Sequence, residues 1–263
     1  MKNLSKLSFI LYGFYWIFLS SCGGPISVAP PSNQGYSEPD GIAEERPGLA
    51  TQWGETRTSR VKNTRFTRAD DRPTATATIY YNNREGIAAM SGLSHLGHGA
   101  PTWLQVEPYG FVSVGLRSQY GQFFEGLTVN GKRYVIGEAG RRYSIVVRNN
   151  TDVPLEAVLS VDGLDVIDGK PAAFGKHGYV IAPYATLTVD GFRQSMDAVA
   201  AFRFGAITES YAEQKYGDTR NVGVIGLAIF HEWQTNPFSQ WTGEEVRKRH
   251  QADPFPERFA TPP

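Results

Sequence analysis

The alternation of apolar and polar residues in the middle of this chain most narrowly limits how it can fold. Tyr143, Ile145 and Val147 alternate with polar neighbours, and residues 155–161 repeat the same two-residue period. Successive side chains of a strand point to opposite faces of a sheet, so this period predicts strands with one buried face. Similar patterns predict further strands near residues 76–81, 111–117, 178–182, 187–189, 202–204 and 222–232.

A β-hairpin is the strongest local signal in this series. Asn130 and Gly131 separate the apolar runs 127–129 and 132–136. Both residue types tolerate the positive φ that a two-residue type I′ turn requires. The pair therefore predicts two antiparallel strands joined by a tight turn.

One short helix interrupts the strands. Ser210 and Glu213 have the spacing of a capping box, residues 211–216 favour a helix, and Gly217 supplies a stop. Strands at intervals of roughly 8–12 residues are typical of sandwiches and barrels. The sequence predicts a mainly β fold: an antiparallel two-layer β-sandwich, or a partly closed barrel, with one short helix.

The first residues carry a targeting signal. Lys2 and Lys6 precede the apolar run 7–19, which ends in Leu-Ser-Ser-Cys at Cys22. This arrangement resembles the bacterial lipobox and implies that 1–21 is a lipoprotein signal peptide and that Cys22 is acylated after cleavage. The alternative, a transmembrane anchor, is disfavoured because the run is shorter than the roughly 20 residues that span a bilayer.

The cysteine content agrees with this interpretation. Cys22 is the only cysteine in 263 residues, so no internal disulfide can form and acylation would consume the thiol. Several acyl chains anchor a protein stably, so we expect the membrane to be a partner through Cys22. Gly23 follows in place of the aspartate that commonly retains lipoproteins in the inner membrane. We therefore expect the cell outer membrane, facing the periplasm.

Proline and polar residues divide the rest of the chain. Residues 22–48 contain five prolines and few apolar residues, which predicts a flexible tether. Residues 49–233 form the expected β domain, with 49–100 alternatively an N-terminal extension packed on it. The proline-rich stretch 234–263 is expected to be a loose tail, with exposed helical turns over 244–251.

Charge and motifs exclude several function classes. The chain has 26 basic and 26 acidic residues, so its net charge of zero gives no indication of a nucleic-acid partner. It contains no Gly-x-Ser-x-Gly, dinucleotide-binding or Walker-type motif. We therefore expect no cofactor, and no local motif assigns catalysis.

Part of the chain resembles a known group of proteins. The segment 143–230, with the upstream element 48–55, is similar to uncharacterised bacterial secreted proteins and lipoproteins. The similar motifs are SVDGLDVIDGKP at 160–171, GYV at 178–180, DGFR at 190–193, AFRF at 201–204, SYA at 210–212 and VIG at 224–226. That family has no established activity, so the resemblance implies relatives and no mechanism.

Three aspartates form a weak candidate metal site. Asp162, Asp165 and Asp168 lie three residues apart, with Gly163 and Gly169 beside them. The spacing differs from the alternate ligands of an EF-hand loop. Turn formation explains the same residues, because Asp-Gly pairs favour type I′ turns. Both interpretations remain open, and the turn is favoured.

Two arginines lie inside apolar strand patterns. Arg193 follows Phe192, and Arg203 lies between Phe202 and Phe204. A buried guanidinium needs a carboxylate partner. We therefore predict a structural ion-pair network that joins these arginines to aspartates, Asp162 and Asp190 above all.

Aromatic residues are the best indication of a ligand. The N-terminal half of the domain is rich in side chains that could stack on sugar rings or pack in the core: Trp53, Tyr80, Tyr81, Trp103, Tyr109, Tyr120, Phe123 and Phe124. Glycosidase carboxylates leave no local motif, and Glu125, Glu138, Asp162 and Asp190 are the candidates. The sequence favours a binding or structural protein of the envelope with a protein or glycan ligand. The alternative is an envelope hydrolase acting on glycan or peptide.

Overall fold

The computed structural model describes residues 46–97, 100–101, 103–107, 110–238 and 243–253. In chain order its elements are β1 (Leu49–Thr58), β2 (Ala75–Asn82), α1 (Arg84–Ser91), β3 (Ala100–Pro101), β4 (Leu104–Val106), β5 (Val112–Ser118), β6 (Glu125–Val129), β7 (Lys132–Ile136), β8 (Arg142–Asn149), β9 (Leu155–Val161), β10 (Leu164–Asp165), β11 (Tyr179–Ile181), β12 (Thr186–Val189), β13 (Gly191–Arg193), β14 (Ala198–Ala206), a 3-10 turn (Ile207–Glu209), α2 (Tyr211–Tyr216), β15 (Val224–His231) and α3 (Gly243–His250).

The strands form two sheets that pack face to face. Sheet I has the order β1-β14-β8-β5-β4, with β12 beside β8 and β13 beside β14. Sheet II has the order β10-β9-β15-β2-β7-β6-β3, with β11 beside β9. Among the described strands every pairing is antiparallel except the one between β2 and β7. The predicted mainly β, two-layer sandwich is therefore confirmed.

The predicted local signals are present as well. Asn130 and Gly131 both have positive φ, 50° and 74°, and join β6 to β7 as a type I′ hairpin. The Ser210 side chain accepts a hydrogen bond from the Glu213 N–H, and Gly217 ends α2 in the left-handed conformation. Helix α1 was not predicted, whereas α3 lies where exposed helical turns were expected over 244–251.

Helix α1 lies in the connection between the parallel strands β2 and β7. A parallel pair needs a long crossover connection, and the chain between β2 and β7 begins with this helix. The Asn83 side chain accepts a hydrogen bond from Gly86 N–H at its start, and Gly92 ends it in the left-handed conformation. Ile87 is fully buried and packs with residues of β7, so α1 covers part of the outer face of sheet II.

An aromatic layer fills the space between the sheets. The Tyr143 ring stacks on Phe204 with centroids 4.4 Å apart and on Phe202 at 5.2 Å. Tyr81 from sheet II lies 5.2 Å from Phe204. These rings are 0–1 % exposed, so burial of their large apolar area is a main source of stability.

The boundaries of the domain differ from two expectations. Residues 49–100 contribute β1 to sheet I and β2 to sheet II, so this segment is part of the sandwich and not an extension packed on it. The predicted loose tail also begins later than residue 234. Phe238 packs edge-on against the core residue Phe111 at 5.2 Å, because an apolar side chain beside an open core edge gains by covering it.

Two connections cross between the sheets at the same end of the sandwich. Residues 119–124 lead from β5 in sheet I to β6 in sheet II, and residues 137–141 lead from β7 back to β8. Because β2 runs parallel to β7, its last residue Asn82 lies opposite Ile136 and α1 begins beside the second connection. This topology brings together three segments that are distant in sequence.

Candidate functional site

These three segments surround a cleft with a volume of about 470 Å³. The start of α1 contributes Arg84, the 119–124 connection contributes Phe123, and β6 begins with Glu125 on the same wall. Glu138 and Arg141 from the 137–141 connection also line it. We call this feature the aromatic cleft.

Exposed aromatic rings border the cleft. The Phe123 ring is half-buried, and the Trp103 ring extends its surface, with centroids 4.5 Å apart. Tyr120 is 69 % exposed, and the Arg141 guanidinium lies 5.8 Å from the centre of its ring. Exposed apolar patches that polar residues surround are typical of binding grooves.

The backbone holds this aromatic surface in place. Phe124 is buried and packs edge-on against Phe204 at 5.4 Å, and its N–H donates to the carbonyl of Leu116. Gly121 has a φ of +86° at the turn that reverses the chain before Phe123. Because its neighbour is anchored in the core, the backbone of Phe123 is held at the cleft.

Two ion pairs provide the polar groups of the cleft. Arg84 Nη2 lies 2.9 Å from Glu125 Oε2, and Arg141 Nη1 lies 3.1 Å from Glu138 Oε1. Each of the four side chains is at least a third exposed, so both carboxylates and both guanidinium groups can reach a ligand. The four formal charges cancel, which suits a neutral polar ligand.

The arrangement is chemically suited to a sugar. The apolar face of a pyranose ring can stack on an aromatic side chain, while adjacent hydroxyls both donate and accept hydrogen bonds. Carboxylates accept from such hydroxyls, and arginine forks donate to them. A concave site with a few convergent polar groups on an apolar wall is the usual form of a small-molecule site.

A second polar cluster lies between the sheets and is closed to ligands. Asp162 accepts hydrogen bonds from Thr51 N–H at 2.7 Å, from the Tyr81 hydroxyl at 2.6 Å and from Gly223 N–H at 2.9 Å. The Thr51 hydroxyl lies 2.7 Å from the hydroxyls of both Tyr81 and Tyr143. We call these four side chains, Thr51, Tyr81, Tyr143 and Asp162, the Asp162 cluster.

Burial dominates the electrostatics of this cluster. It raises the pKa of Asp162 to about 6, although the hydrogen bonds from Tyr81, Thr51 and Gly223 oppose the shift. Burial likewise raises the pKa values of Tyr81 and Tyr143 well above the usual value for a tyrosine. Because these side chains are nearly inaccessible, the cluster fastens sheet I to sheet II and performs no chemistry on a ligand.

The structure does not join the predicted ion-pair residues. Arg203 binds Glu55 with Nη2 and Oε2 2.7 Å apart, and Arg193 donates to the Tyr179 hydroxyl and to oxygen atoms of Ser59 and Ser195. The predicted aspartates have other partners: Asp162 lies in its cluster, and Asp190 accepts from the Ser144 hydroxyl at 2.7 Å. The predicted network was wrong: Gln52 pairs opposite Arg203, and the carboxylate that reaches the Arg203 guanidinium is Glu55, from the irregular part of β1.

Glu55 owes its position to a β-bulge. The pairing of β1 with β14 shifts between Trp53 and Thr56, so Glu55 lies in the irregular segment. Its carboxylate also lies 2.6 Å from Arg142 Nη1. Burial acts to raise the pKa of Glu55, but the hydrogen bond and charge of Arg203, with the charge of Arg142, outweigh it and hold the pKa below its usual value.

The candidate metal ligands engage different partners. Asp165 Oδ1 accepts hydrogen bonds from the N–H groups of Ile167 and Asp168, while Asp168 pairs with Lys176 at 2.5 Å. Within the described ranges, no group of three or more His, Cys, Asp or Glu side chains is placed to bind a metal ion. Asp162 and Gly163 have φ values of 53° and 80°, so the turn interpretation of this pair agrees with the backbone.

Sequence reasoning missed a buried ion pair on sheet II. Arg68 Nε lies 2.6 Å from Glu156 Oε2, and the two side chains are 16 % and 5 % exposed. The Arg68 guanidinium also lies over the Phe230 ring at 3.7 Å and donates to the carbonyl of Phe174. The charged pair therefore fastens the segment before β2 and the loop before β11 to the sheet.

Comparisons with known proteins leave the family open. No protein-family model matches the chain, and searches of the curated proteins and of the solved structures found no match. The resemblance of residues 143–230 to uncharacterised lipoproteins stays a prediction. Cys22, the signal peptide and Tyr109 lie outside the described residues. None of the described helices has the length and apolar character that a membrane crossing requires.

Proposed function

We propose that this protein is a lipid-anchored component of the bacterial cell envelope that binds a glycan in the aromatic cleft. The observation that carries the proposal is the pairing of an exposed Trp103–Phe123 surface with the Arg84–Glu125 ion pair on one cleft wall. The aromatic surface would stack on a sugar ring, and the ion pair would bind its hydroxyls.

The anchor is supported by the sequence. The Leu-Ser-Ser-Cys motif at Cys22 implies lipidation, and the proline-rich residues 23–48 would hold the domain away from the membrane. Replacing Cys22 by alanine should leave an uncleaved, unlipidated precursor. Metabolic labelling with a fatty-acid analogue tests this, and equal label in parent and variant would contradict it.

Binding is tested by titrating the protein with neutral trisaccharides. Tri-N-acetylglucosamine, cellotriose and maltotriose differ in linkage and N-acetylation, and tryptophan fluorescence or calorimetry reports binding. Trp103→Ala should lower the affinity for the trisaccharide that binds most tightly about tenfold or more, and a tenfold change corresponds to about 1.4 kcal/mol. Trp233 is 59 % exposed and does not line the cleft, so Trp233→Ala is the matched control.

Two results would contradict glycan binding. Either none of the trisaccharides binds, or Trp103→Ala binds as tightly as the parent while Trp233→Ala also has no effect. Glu125→Gln gives an independent reading, because it keeps the shape of the side chain and removes the charge that holds Arg84 in place. We expect it to weaken the same ligand.

The second candidate function is hydrolysis of a glycan. The observation in its favour is that two carboxylates, Glu125 and Glu138, line the same cleft, as in glycosidases. Against it, an arginine engages each carboxylate, whereas glycoside hydrolysis requires one carboxyl group that gives up a proton. Incubating the protein with each trisaccharide decides between binding and hydrolysis. Formation of new reducing ends by the parent, and by neither Glu125→Gln nor Glu138→Gln, would favour hydrolysis.

A further inference from the structure

A second depression lies on the outer face of sheet I and adjoins the aromatic cleft at Ser118, which lines both. It forms where β12 and β13 separate strand β8 from strand β14, and its volume is about 210 Å³. Three arginines from three strands line it: Arg57 from β1, Arg117 from β5 and Arg142 from β8. We call this feature the arginine depression.

The cationic groups of the depression are only partly neutralised. Arg57 forms no side-chain hydrogen bond or ion pair with any residue that the structure describes. Arg117 donates to the neutral Thr188 hydroxyl at 3.2 Å, whereas Arg142 is bound by Gln119 and Glu55. Guanidinium donors of two arginines are therefore available to a ligand, in a protein whose total formal charge is zero.

One acceptor lies among these donors. Asp190 lines the depression, and its Oδ1 accepts a hydrogen bond from the Ser144 hydroxyl at 2.7 Å. Its Oδ2 accepts no side-chain or backbone hydrogen bond from the described part of the chain. A bare anion would be repelled by this carboxylate, but a hydroxyl beside the anionic group would be bound by it.

We propose that the arginine depression binds a phosphomonoester attached to a hydroxyl-bearing group, as in a sugar phosphate. A phosphoryl group presents three oxygens, which suits guanidinium groups that approach from different strands. The small volume accommodates the phosphoryl group and the adjacent hydroxyl, and leaves the rest of the ligand outside. The proposal does not depend on glycan binding in the aromatic cleft.

Calorimetric titration of the full-length protein with three probes tests the site. Glucose 6-phosphate should bind more tightly than inorganic phosphate, because Asp190 accepts its hydroxyl, and glucose should not bind in the depression. Arg57→Gln and Arg117→Gln should each weaken the binding of glucose 6-phosphate about tenfold or more, since a hydrogen bond to a charged group contributes about 1.5–3 kcal/mol. Arg148→Gln is the matched control, because Arg148 is exposed on the same sheet face and does not line the depression.

Asp190→Asn provides a readout that a loss of folding would not mimic. Removal of the negative charge should strengthen the binding of inorganic phosphate, so the preference for glucose 6-phosphate over phosphate should become smaller. Trp103→Ala should leave phosphate binding unchanged, which separates this site from the aromatic cleft. Vesicles of phosphatidylcholine with and without phosphatidic acid show whether a phosphomonoester on a lipid is bound as well as the soluble one.

Three outcomes would overturn the proposal. The first is that glucose 6-phosphate binds no better than glucose to the parent protein. The second is that Arg57→Gln and Arg117→Gln bind glucose 6-phosphate as the parent does. The third is that Arg148→Gln weakens binding as much as they do, which would indicate a diffuse effect of surface charge.

Discussion

Replacing Asp162 by asparagine should change how the stability of this protein depends on pH. The carboxylate of Asp162 is 4 % exposed and lies in the polar cluster that joins the two sheets. Burial raises its pKa to about 6, whereas an aspartate in an unfolded chain has a pKa of about 3.9. The folded protein therefore retains a proton that the unfolded chain loses over this interval.

The sign and size of the effect follow from this difference. Where the folded state binds more protons, the free energy of unfolding falls as the pH rises. The contribution of Asp162 is fully present below about pH 4 and is lost as the pH passes about 6. A difference of about two pH units corresponds to about 3 kcal/mol. Asparagine stays neutral, so this loss should be absent from the variant.

The variant also has a cost that does not depend on pH. In the parent, Asp162 Oδ2 accepts a hydrogen bond from the Thr51 N–H. In the variant the side-chain amide nitrogen would take the place of Oδ2, and two buried donors in contact cost about 1–3 kcal/mol. We therefore expect Asp162→Asn to be less stable than the parent near pH 4. The gap should close, or change sign, near pH 7.

Urea denaturation at a series of pH values between about 4 and 7 measures this. The quantity of interest is the difference in unfolding free energy between parent and variant, because the other titrating groups cancel in it. Asp152 is exposed, so Asp152→Asn is the control and should follow the parent at every pH. Parallel curves for the parent and Asp162→Asn would refute the reasoning.

Two further predictions concern buried charges. Arg68→Met should lower the free energy of unfolding by about 3–5 kcal/mol, because Glu156 would remain buried without its cation. Thermal denaturation measures this loss. Arg72→Met is the control and should change stability little, because the Arg72 side chain is 89 % exposed. Burial raises the pKa of Asp165, and its Oδ2 has no hydrogen-bond partner among the described residues. In Asp165→Asn the side-chain oxygen should still accept the hydrogen bond from Ile167 N–H, and the buried charge is removed. The variant should therefore be as stable as the parent at pH 7, or more stable. Asp165→Ala loses that bond and should be less stable than the asparagine variant in the same assay.

Local signals made much of the fold predictable. The type I′ hairpin at Asn130 and Gly131 and the capped helix α2 depend on backbone preferences of a few adjacent residues, and both are present. Helix α1 carries comparable signals in Asn83 and Gly92 but was not predicted. Only Ile87 is buried along it, so the apolar period that identifies an amphipathic helix is nearly absent.

The partners of charged side chains were not predictable in the same way. Arg203 could be identified from its apolar neighbours, but its carboxylate Glu55 is brought to it by strand pairing and a β-bulge. Arg68 and Glu156 are 88 residues apart, and neither stands out in its local sequence. A strand pattern tells which face a residue occupies, and only the strand order decides what lies opposite.

The same distinction explains why the aromatic cleft could not be recognised from the sequence. Trp103, Tyr120 and Phe123 were among eight candidate aromatics, and topology separates them from Tyr81, which is fully buried in the core. The cleft forms where connections of both sheets meet, so its residues are not needed to hold the sheets together. The Asp162 cluster and the Arg68–Glu156 pair stabilise other parts of the sandwich. Variants of the cleft and of the arginine depression should therefore retain the parent's thermal stability, and a loss of binding in them can be attributed to the ligand contact itself.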